Sequence, residues 1–385
     1  MAGVAPEVAT RLAELAGVLA HPGDRDSGTV LRLTHEWDEL VNRARTLPGF
    51  ERFLLRPKAD RLVKELGDRT VVVLNAASTR CDALIVSGNG VEVVPLPVTP
   101  DEVVAATETT RGPAHRALPE VLPWLWEKVA RPVLDALSPP QGSPLWWCPT
   151  GSFTLLPVHA AGTGDDGVHH RVVSSYTSTV TALVRAIGQP RRPGGAAVFV
   201  GVDHPPGSDL AVLSAVPQEE SSFKNSVRRR LDEFLGARAT KDAVRTAAAS
   251  AAVLHLACHA RPSPEHPRDS GLELWDGRLT ISELADGLTT SPDLVYLSAC
   301  HSAASGPKLP DEAFSIAAAF LTSGSRNVIG TLWDVGDREA ATVASDFYEV
   351  LHRSGDPARA PRRGGPVARA VPQATGGLGS LRAHG

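Results

Sequence analysis

Two short apolar segments of the chain, residues 251–257 and 294–299, each end at a cysteine followed by a histidine. Aliphatic side chains occupy both odd and even positions of each segment, which is the pattern of a strand buried on both faces of a parallel sheet. The pairs that follow are Cys258-His259 and Cys300-His301. Because ligands and reactive groups collect at the carboxyl ends of parallel strands, this pattern predicts a chemical site where the two strands end.

The spacing of apolar residues around these segments predicts an α/β fold, with a doubly wound, mostly parallel sheet and helices on both faces. Thr280 and Glu283 form a capping box, which predicts a short crossover helix between the two strands that end at the cysteines. The other predicted elements are strands at residues 196–202 and 327–332 and helices at residues 218–234, 241–249, 311–321 and 338–352.

The pattern also divides the chain into regions. Residues 1–60 are predicted to form a helical N-terminal lead-in, because apolar residues recur there at helical spacing. Residues 61–190 contain three β-type segments of a meander and a helical stretch, which we interpret as a smaller, non-catalytic upstream half. We predict that residues 191–351, which contain both strand ends with the Cys-His pairs, form the catalytic half of the same domain. Residues 352–385 have almost no large apolar side chains, and we predict a low-complexity, disordered tail.

Composition excludes several classes of function. A net charge of −4 provides no basic field for nucleic acid or for a lipid surface. Glu7, Arg11 and Glu14 interrupt the N-terminal segment where a signal peptide is apolar, and no apolar segment is long enough to cross a bilayer, so we expect a cytoplasmic protein without membrane contact. The chain has no Gly-x-Ser-x-Gly elbow and no glycine-rich phosphate loop after a strand, which argues against serine hydrolase chemistry and nucleotide binding.

The cysteines also bear on redox state and metal binding. They are Cys81, Cys148, Cys258 and Cys300, and they have no paired spacing, so we expect reduced thiols instead of a disulfide framework. A structural zinc site usually shows a short motif such as Cys-x-x-Cys, and its absence here argues against a metal site. The chemistry that we predict at the two strand ends requires no cofactor.

Cys300 is the candidate nucleophile and His259 the candidate base, because a free thiol is mostly protonated near neutral pH and needs a nearby imidazole to ionise. The backbone N–H groups of Ala260 and Cys300 are candidate donors to the oxyanion of an attacked carbonyl, so the predicted reaction is acyl transfer. Strand alternation places Cys258 on the face opposite His259, where we expect a structural role. His255 shares the face of His259, and we expect it to be either a hydrogen-bonded core histidine or a catalytic helper.

A series of motifs in a fixed order resembles the CHAT domain family, whose members are caspase-like cysteine peptidases related to caspases and separase. The segments that carry the resemblance are Leu254-His255-Leu256-Ala257-Cys258-His259, Leu297-Ser298-Ala299-Cys300, Asp311-Glu312, Ala318-Ala319-Phe320-Leu321 with Gly324, and Gly330-Thr331-Leu332-Trp333-Asp334-Val335 with Asp337. The upstream segments Pro149-Thr150-Gly151, Leu156-Pro157 and Ser175-Tyr176-Thr177 resemble the same family.

The resemblance implies a cysteine endopeptidase that cuts a protein or peptide substrate, with His259 as base and Cys300 as nucleophile. Candidates for the substrate pocket are Ser298, Asp311 and Asp334, although Asp311 also fits the acidic first turn of a helix. Many caspase-like enzymes stay inactive until a loop is ordered, so an activating partner protein is one hypothesis for this chain.

Two positions depart from the family pattern. The residue after the histidine is usually Gly and is Ala260 here, whose methyl group would crowd the approach to the oxyanion. Metacaspases have Asp where this chain has Ser298, so a preference for Arg or Lys is not implied. An alternative function therefore stays open, namely a catalytically inactive caspase-like module that binds a peptide or a partner protein in the same cleft.

Overall fold

The structure is a computed structural model that describes residues 5–20, 26–51, 53–55, 57–110, 114–164, 166–188, 194–261, 263, 267–287, 291–299, 316–332, 335–354 and 371–373. The chain divides into two compact units, Met1–Ala59 and Asp60–Gly385. Each unit has its own apolar core.

The first unit contains helices α1 (Pro6–Ala20) and α2 (Ser27–Arg45), which match the helical pattern of the N-terminal region. Asp26 caps α2, because its side chain accepts a hydrogen bond from the Thr29 N–H at 2.9 Å and so satisfies one of the free donors of the first turn. The two helices contribute to a small apolar cluster of Val8, Leu12, Val41 and Ala44.

The second unit is built on one large sheet. Its strands are β1 (Val71–Ala76), β2 (Cys81–Ser87), β3 (Gly90–Pro95), β4 (Ser143–Pro149), β5 (Val172–Tyr176), β6 (Ala196–Gly201), β7 (Leu231–Leu235), β8 (Ala251–Ala257), β12 (Leu294–Ser298), β13 (Asn327–Gly330) and β14 (Val371–Gln373). Three short strands, β9 (Ala260–Arg261), β10 (Gly271–Leu274) and β11 (Gly277–Thr280), form a second sheet.

Within the described residues the large sheet has the order β3-β2-β1-β4-β5-β14-β13-β12-β8-β6-β7. The meander of β1, β2 and β3 is antiparallel, and β13 and β14 are antiparallel, whereas the other neighbouring pairs are parallel. The helices of this unit are α3 (Ala59–Leu66), α4 (Pro100–Thr110), α5 (Ala114–Leu125), α6 (Arg131–Leu137), α7 (Val168–Arg171), α8 (Val180–Gly188), α9 (Val216–Ser226), α10 (Lys241–Ser250), α11 (Ile281–Gly287), α12 (Ile316–Thr322) and α13 (Asp337–Ser354).

Strand β8 lies between two apolar cores, which explains why it is apolar at every position except His255. Leu254 and Leu256 belong to the cluster that includes side chains of α10 and α12. Val253 and Ala257 belong to the cluster that includes side chains of α9 and α13. The predicted α/β class, with a mostly parallel sheet and helices on both faces, is confirmed.

One predicted helix is wrong in part. Residues 218–234 were expected to form a single helix, but α9 ends at Ser226 and the chain enters β7 at Leu231. The last stretch pairs with β6 in parallel register, with Leu231 opposite Ala197, so pairing with a distant strand decides its conformation. The capping box is present as predicted, since the Glu283 N–H donates to Thr280 Oγ1 at 3.2 Å and the Thr280 N–H donates to Glu283 Oε2 at 2.8 Å.

The structure describes three residues of the predicted tail as β14, between β5 and β13. These three residues differ from the expectation of disorder. For the other residues beyond α13, which lie outside those described, a disordered tail stays a prediction.

Candidate active site

The two strands that precede the predicted site are neighbours in the sheet. β8 and β12 run parallel, with Ala257 opposite Ser298, and the Cys258 N–H donates to the Ser298 carbonyl oxygen at 3.4 Å. Ala257 lies two positions before His259, and Ser298 lies two positions before Cys300. The sheet register therefore aligns the two strand ends that lead into the candidate base and the candidate nucleophile.

His259 follows β8 directly and is half-buried. Its Nε2 lies 2.7 Å from the backbone carbonyl oxygen of Ala211. A carbonyl oxygen can only accept a hydrogen bond, so Nε2 carries the hydrogen in this contact and the neutral ring has its lone pair on Nδ1. The backbone of the same residue is also held, because the His259 carbonyl oxygen accepts from the Glu273 N–H at 2.9 Å.

The segment that supplies the Ala211 carbonyl joins β6 to α9, and it is fixed near its end. Asp337 Oδ2, at the start of α13, accepts hydrogen bonds from the Ser214 hydroxyl and from the Ala215 N–H, both at 2.9 Å. The Leu213 N–H donates to the Asp203 carbonyl oxygen at 2.9 Å. These contacts link the orientation of the His259 ring to a segment that is distant in sequence.

The end of β12 is held from two sides. The Ser298 hydroxyl donates to Glu219 Oε1 at 2.9 Å, and the Thr331 hydroxyl donates to the Ala299 carbonyl oxygen at 2.8 Å. The first contact comes from α9 and the second from the residue after β13. Of the three substrate-pocket candidates, Ser298 is the one that the structure describes, and it is half-buried.

His255 and Cys258 are both in the interior. The His255 ring is fully buried and hydrogen-bonded at both nitrogens, to Tyr348 and to Glu219, as expected for a core histidine. Burial raises the pKa of the Cys258 thiol to about 12, so this sulfur stays protonated and unreactive at neutral pH. Cys81 and Cys148 are also buried, free thiols.

Sequence reasoning missed Glu219, the buried carboxylate behind Ser298. A signal for it was present, because Glu219 lies between Val216 and Phe223 at helical spacing and so occupies the apolar stripe of α9. An acidic residue in an apolar stripe indicates a buried polar contact. The partners of that contact lie on other elements and are not visible from the spacing.

Other predicted site residues are placed in part or lie outside the description. Ala260 lies in β9, opposite Leu272 of β10, and its role as an oxyanion donor stays a prediction. Cys300, Asp311 and Asp334 lie outside the described residues. In the part of the chain that is described, no group of three or more His, Cys, Asp or Glu side chains could hold a metal ion. None of the helices in that part combines the length and apolarity that crossing a membrane requires.

Comparisons with known proteins point to one family. The CHAT domain family model matches residues 119–375, which is more than half of the chain. A search of curated proteins finds no match.

Three solved structures illustrate the structural similarity. A complex of the pro- and mature domains of Porphyromonas gingivalis RgpB aligns at 10% identity and a TM-score of 0.40, covering 66% of this chain and 66% of that one. The separase–securin complex of Saccharomyces cerevisiae aligns at 11% identity and a TM-score of 0.45, and the alignment covers 96% of this chain and 27% of that one. The Arg-specific cysteine proteinase gingipain R aligns at 11% identity and a TM-score of 0.41, and the alignment covers 68% of this chain and 59% of that one. By the extent of the family match, the chain belongs to the CHAT domain family.

Proposed function

We propose that this protein is a cysteine endopeptidase in which Cys300 attacks a peptide carbonyl and His259 transfers the proton. Membership of a caspase-like, peptidase-type family supports the class of reaction. The observation that carries the proposal is the parallel register of β8 and β12, with Ala257 opposite Ser298. Neighbouring strands lie about 4.8 Å apart, so residues that follow paired strand ends start within reach of each other.

The contact between His259 and Ala211 supports the role of the imidazole as a base. With the hydrogen on Nε2, the Nδ1 lone pair is available to accept the thiol proton of Cys300. The orientation of the ring is set by a backbone carbonyl, which cannot take the proton away. A ring held in one tautomer and one direction loses less entropy when it enters the transition state.

The proposed reaction proceeds through an acyl-enzyme. The Cys300 thiol gives its proton to His259, and the sulfur forms a bond to the carbonyl carbon while the backbone N–H groups of Ala260 and Cys300 bind the oxyanion. The C–N bond then breaks, and the imidazolium gives its proton to the departing amine. Water attacks the thioester, which releases a carboxylic acid and restores the thiol. No cofactor takes part.

The substrate in this proposal is a protein or a peptide. Ser298, Asp311 and Asp334 stay the proposed pocket residues, and an activating partner protein stays a hypothesis. Because the hydroxyl of Ser298 already donates to Glu219, a substrate group that contacts this residue would meet an oxygen whose hydrogen is engaged. This arrangement favours a hydrogen-bond donor on the substrate.

Alkylation of the thiols tests the proposed dyad without knowledge of the substrate. The protein is treated with iodoacetamide and separately with a peptidyl chloromethyl ketone at pH 7, and the modified cysteines are mapped by mass spectrometry. We expect rapid modification of Cys300 and a fall of about 10²-fold or more in His259→Ala. The buried thiols of Cys148 and Cys258 serve as internal controls in each sample.

A Cys300 that reacts no faster than a free cysteine, and equally fast in His259→Ala, would contradict the peptidase. That outcome favours the alternative, an interaction module that binds a partner without cutting it. Cys300→Ala then provides a second distinction. It should abolish cleavage and spare partner binding in the enzyme, and it should change nothing in the interaction module.

A further inference from the structure

Glu219 carries a carboxylate in the interior of the protein. The residue is 3% exposed, and it lies on α9 beside the apolar side chains of the α9 and α13 face of the sheet. Burying a carboxylate is costly unless hydrogen bonds replace the lost water. Each of its two oxygens has such a partner. Oε2 lies 2.9 Å from His255 Nε2, and Oε1 accepts from the Ser298 hydroxyl at 2.9 Å.

The imidazole of His255 is itself fixed on every side. The ring stacks between Phe199 and Tyr296, with both centroid distances 4.8 Å and interplanar angles of 23° and 9°. Its Nδ1 lies 2.7 Å from the Tyr348 hydroxyl. Burial raises the pKa of Tyr348, so its hydroxyl stays protonated and can donate to Nδ1, while Nε2–H donates to Glu219.

The result is one continuous chain of hydrogen bonds, from Tyr348 through His255 and Glu219 to Ser298. It connects α13, β8, α9 and β12. An apolar core of the same volume would be about as stable, because the desolvation of a buried charge offsets most of what its contacts contribute. A network of this kind instead specifies one arrangement of the elements it joins, since each member is satisfied in that arrangement.

The network includes residues on or next to each of the segments that position the proposed dyad of His259 and Cys300. Ser298 lies two residues before Cys300, and His255 lies four residues before His259 on the same strand. Glu219 lies on α9, the helix that follows the segment whose Ala211 carbonyl orients the His259 ring. One buried carboxylate therefore sits at the junction of the three segments on which the reacting groups depend.

We infer that Glu219 is a positioning residue for the proposed reaction, which holds the end of β12 through the Ser298 hydroxyl and so aligns Cys300 with His259. The inference rests on the proposed function. Glu219 does not touch the substrate in this account. It acts through Ser298 on one side and through His255 on the other.

The test compares the alkylation rate and its pH profile at Cys300 in five variants of the full chain. Glu219→Gln keeps the shape and removes the charge, Ser298→Ala removes the hydroxyl, and Ser298→Thr restores it. Ser291→Ala is a matched control, because Ser291 is also buried and its hydroxyl donates to the Ser323 carbonyl oxygen at 2.9 Å, at the amino end of β12.

Glu220→Gln is the matched control for the charge, because Glu220 is the next residue of α9, is more exposed than Glu219 and pairs with Lys224. We expect Glu219→Gln and Ser298→Ala to slow alkylation at pH 7 by about tenfold or more, since small displacements of reacting groups cost large factors in rate. Their profiles should move up toward that of an ordinary thiol, near pH 8.5. Ser298→Thr should recover most of the rate and pH profile that Ser298→Ala loses, and both controls should keep the wild-type rate and profile.

The inference is overturned if Glu219→Gln and Ser298→Ala both keep the wild-type pH profile while Cys300 of the wild type reacts rapidly through His259. A merely structural role would lower stability to urea and leave the profile in place, so unfolding is measured in the same samples. If Glu219→Gln fails to fold, the comparison of Ser298→Ala with Ser298→Thr is sufficient to test the inference. A wild-type Cys300 that is no more reactive than free cysteine overturns the proposed function itself, which is a separate outcome.

Discussion

The imidazole Nε2 of His259 lies 2.7 Å from the carbonyl oxygen of Ala211, a residue 48 positions earlier in the chain. The orientation of the candidate base is therefore set by the segment between β6 and α9, in addition to the strand that carries the histidine. That segment is held at its end by Asp337. We therefore expect the chemistry proposed at the strand ends to depend on Asp337, a residue of α13 that contacts the segment before α9.

Removal of the Asp337 carboxylate should weaken the reaction at Cys300. Asp337→Ala loses the acceptor for the Ser214 hydroxyl and the Ala215 N–H, so the Ala211 carbonyl becomes less fixed and the His259 ring less well oriented. We expect alkylation of Cys300 at pH 7 to fall about tenfold. Asp337→Asn keeps an acceptor oxygen and should retain most of the rate.

Glu339→Ala, on the same helix and exposed, is the control for loss of an acidic side chain. Equal rates in Asp337→Ala, Glu339→Ala and the wild type would show that the segment orients His259 without help from α13.

Tyr348→Phe should destabilise the protein through the loss of one oxygen. Its hydroxyl is the partner of His255 Nδ1 at 2.7 Å, and the substitution leaves that buried nitrogen without it. An unsatisfied buried polar group costs about 1–3 kcal/mol, which urea unfolding followed by circular dichroism can measure.

Tyr296→Phe is the matched comparison, because Tyr296 is equally buried and stacks on the same imidazole without bonding to Nδ1. We expect it to be less destabilising than Tyr348→Phe. Similar losses in the two variants would mean that the Nδ1 contact contributes little.

The capping box of α11 should contribute stability that depends on pH. Hydrogen bonds from Thr280 and the nearby Lys241 ammonium lower the pKa of Glu283 below its ordinary value of 4.5. A depressed folded pKa means that the carboxylate contributes stability above about pH 4.5 and loses it as the pH falls through the lower folded value. Glu283→Gln should therefore be less stable than the wild type at pH 7, and the gap should narrow below pH 4.5.

Urea midpoints at several pH values check this expectation. Glu92→Gln removes a carboxylate from an exposed position on β3 and controls for the change in net charge. A gap for Glu283→Gln that stays constant from pH 7 down to pH 3 would contradict a contribution from the ionised carboxylate.

Gly271→Ala should disrupt the small sheet that supports the backbone of His259. A Cβ at Gly271 would overlap the carbonyl oxygen of Leu279 on β11, and backbone on a neighbouring strand cannot move aside cheaply. β10 carries Glu273, whose N–H donates to the His259 carbonyl oxygen. We expect both a lower melting temperature and slower alkylation of Cys300.

Gly164→Ala is the control, because a Cβ there meets nothing within 4 Å. The expectation fails if Gly271→Ala melts at the same temperature as Gly164→Ala.

The pattern of neighbouring residues was sufficient to predict the elements that depend on short-range features of the sequence. β8 and β12 could be predicted from their mostly apolar sequences, because burial on both faces favours apolar residues at odd and even positions alike. The capping box of Thr280 and Glu283 could be predicted because its two partners are three residues apart. The position of His259 after a buried strand was visible for the same reason.

Contacts between segments that are distant in sequence could not be predicted from such short-range patterns. The strand β7 was predicted as helix, because its pairing with β6 joins residues far apart in sequence. Glu219 reaches His255 across 36 residues and Ser298 across 79, and Asp337 reaches Ala215 across 122.

The residues next to a side chain in the sequence do not indicate such partners, because only the folded sheet brings the two partners within hydrogen-bond distance. The sequence alone therefore determined which strands lead into the candidate residues, and the tertiary structure decided what holds those strand ends, because spacing along a chain encodes burial but not the identity of a remote contact.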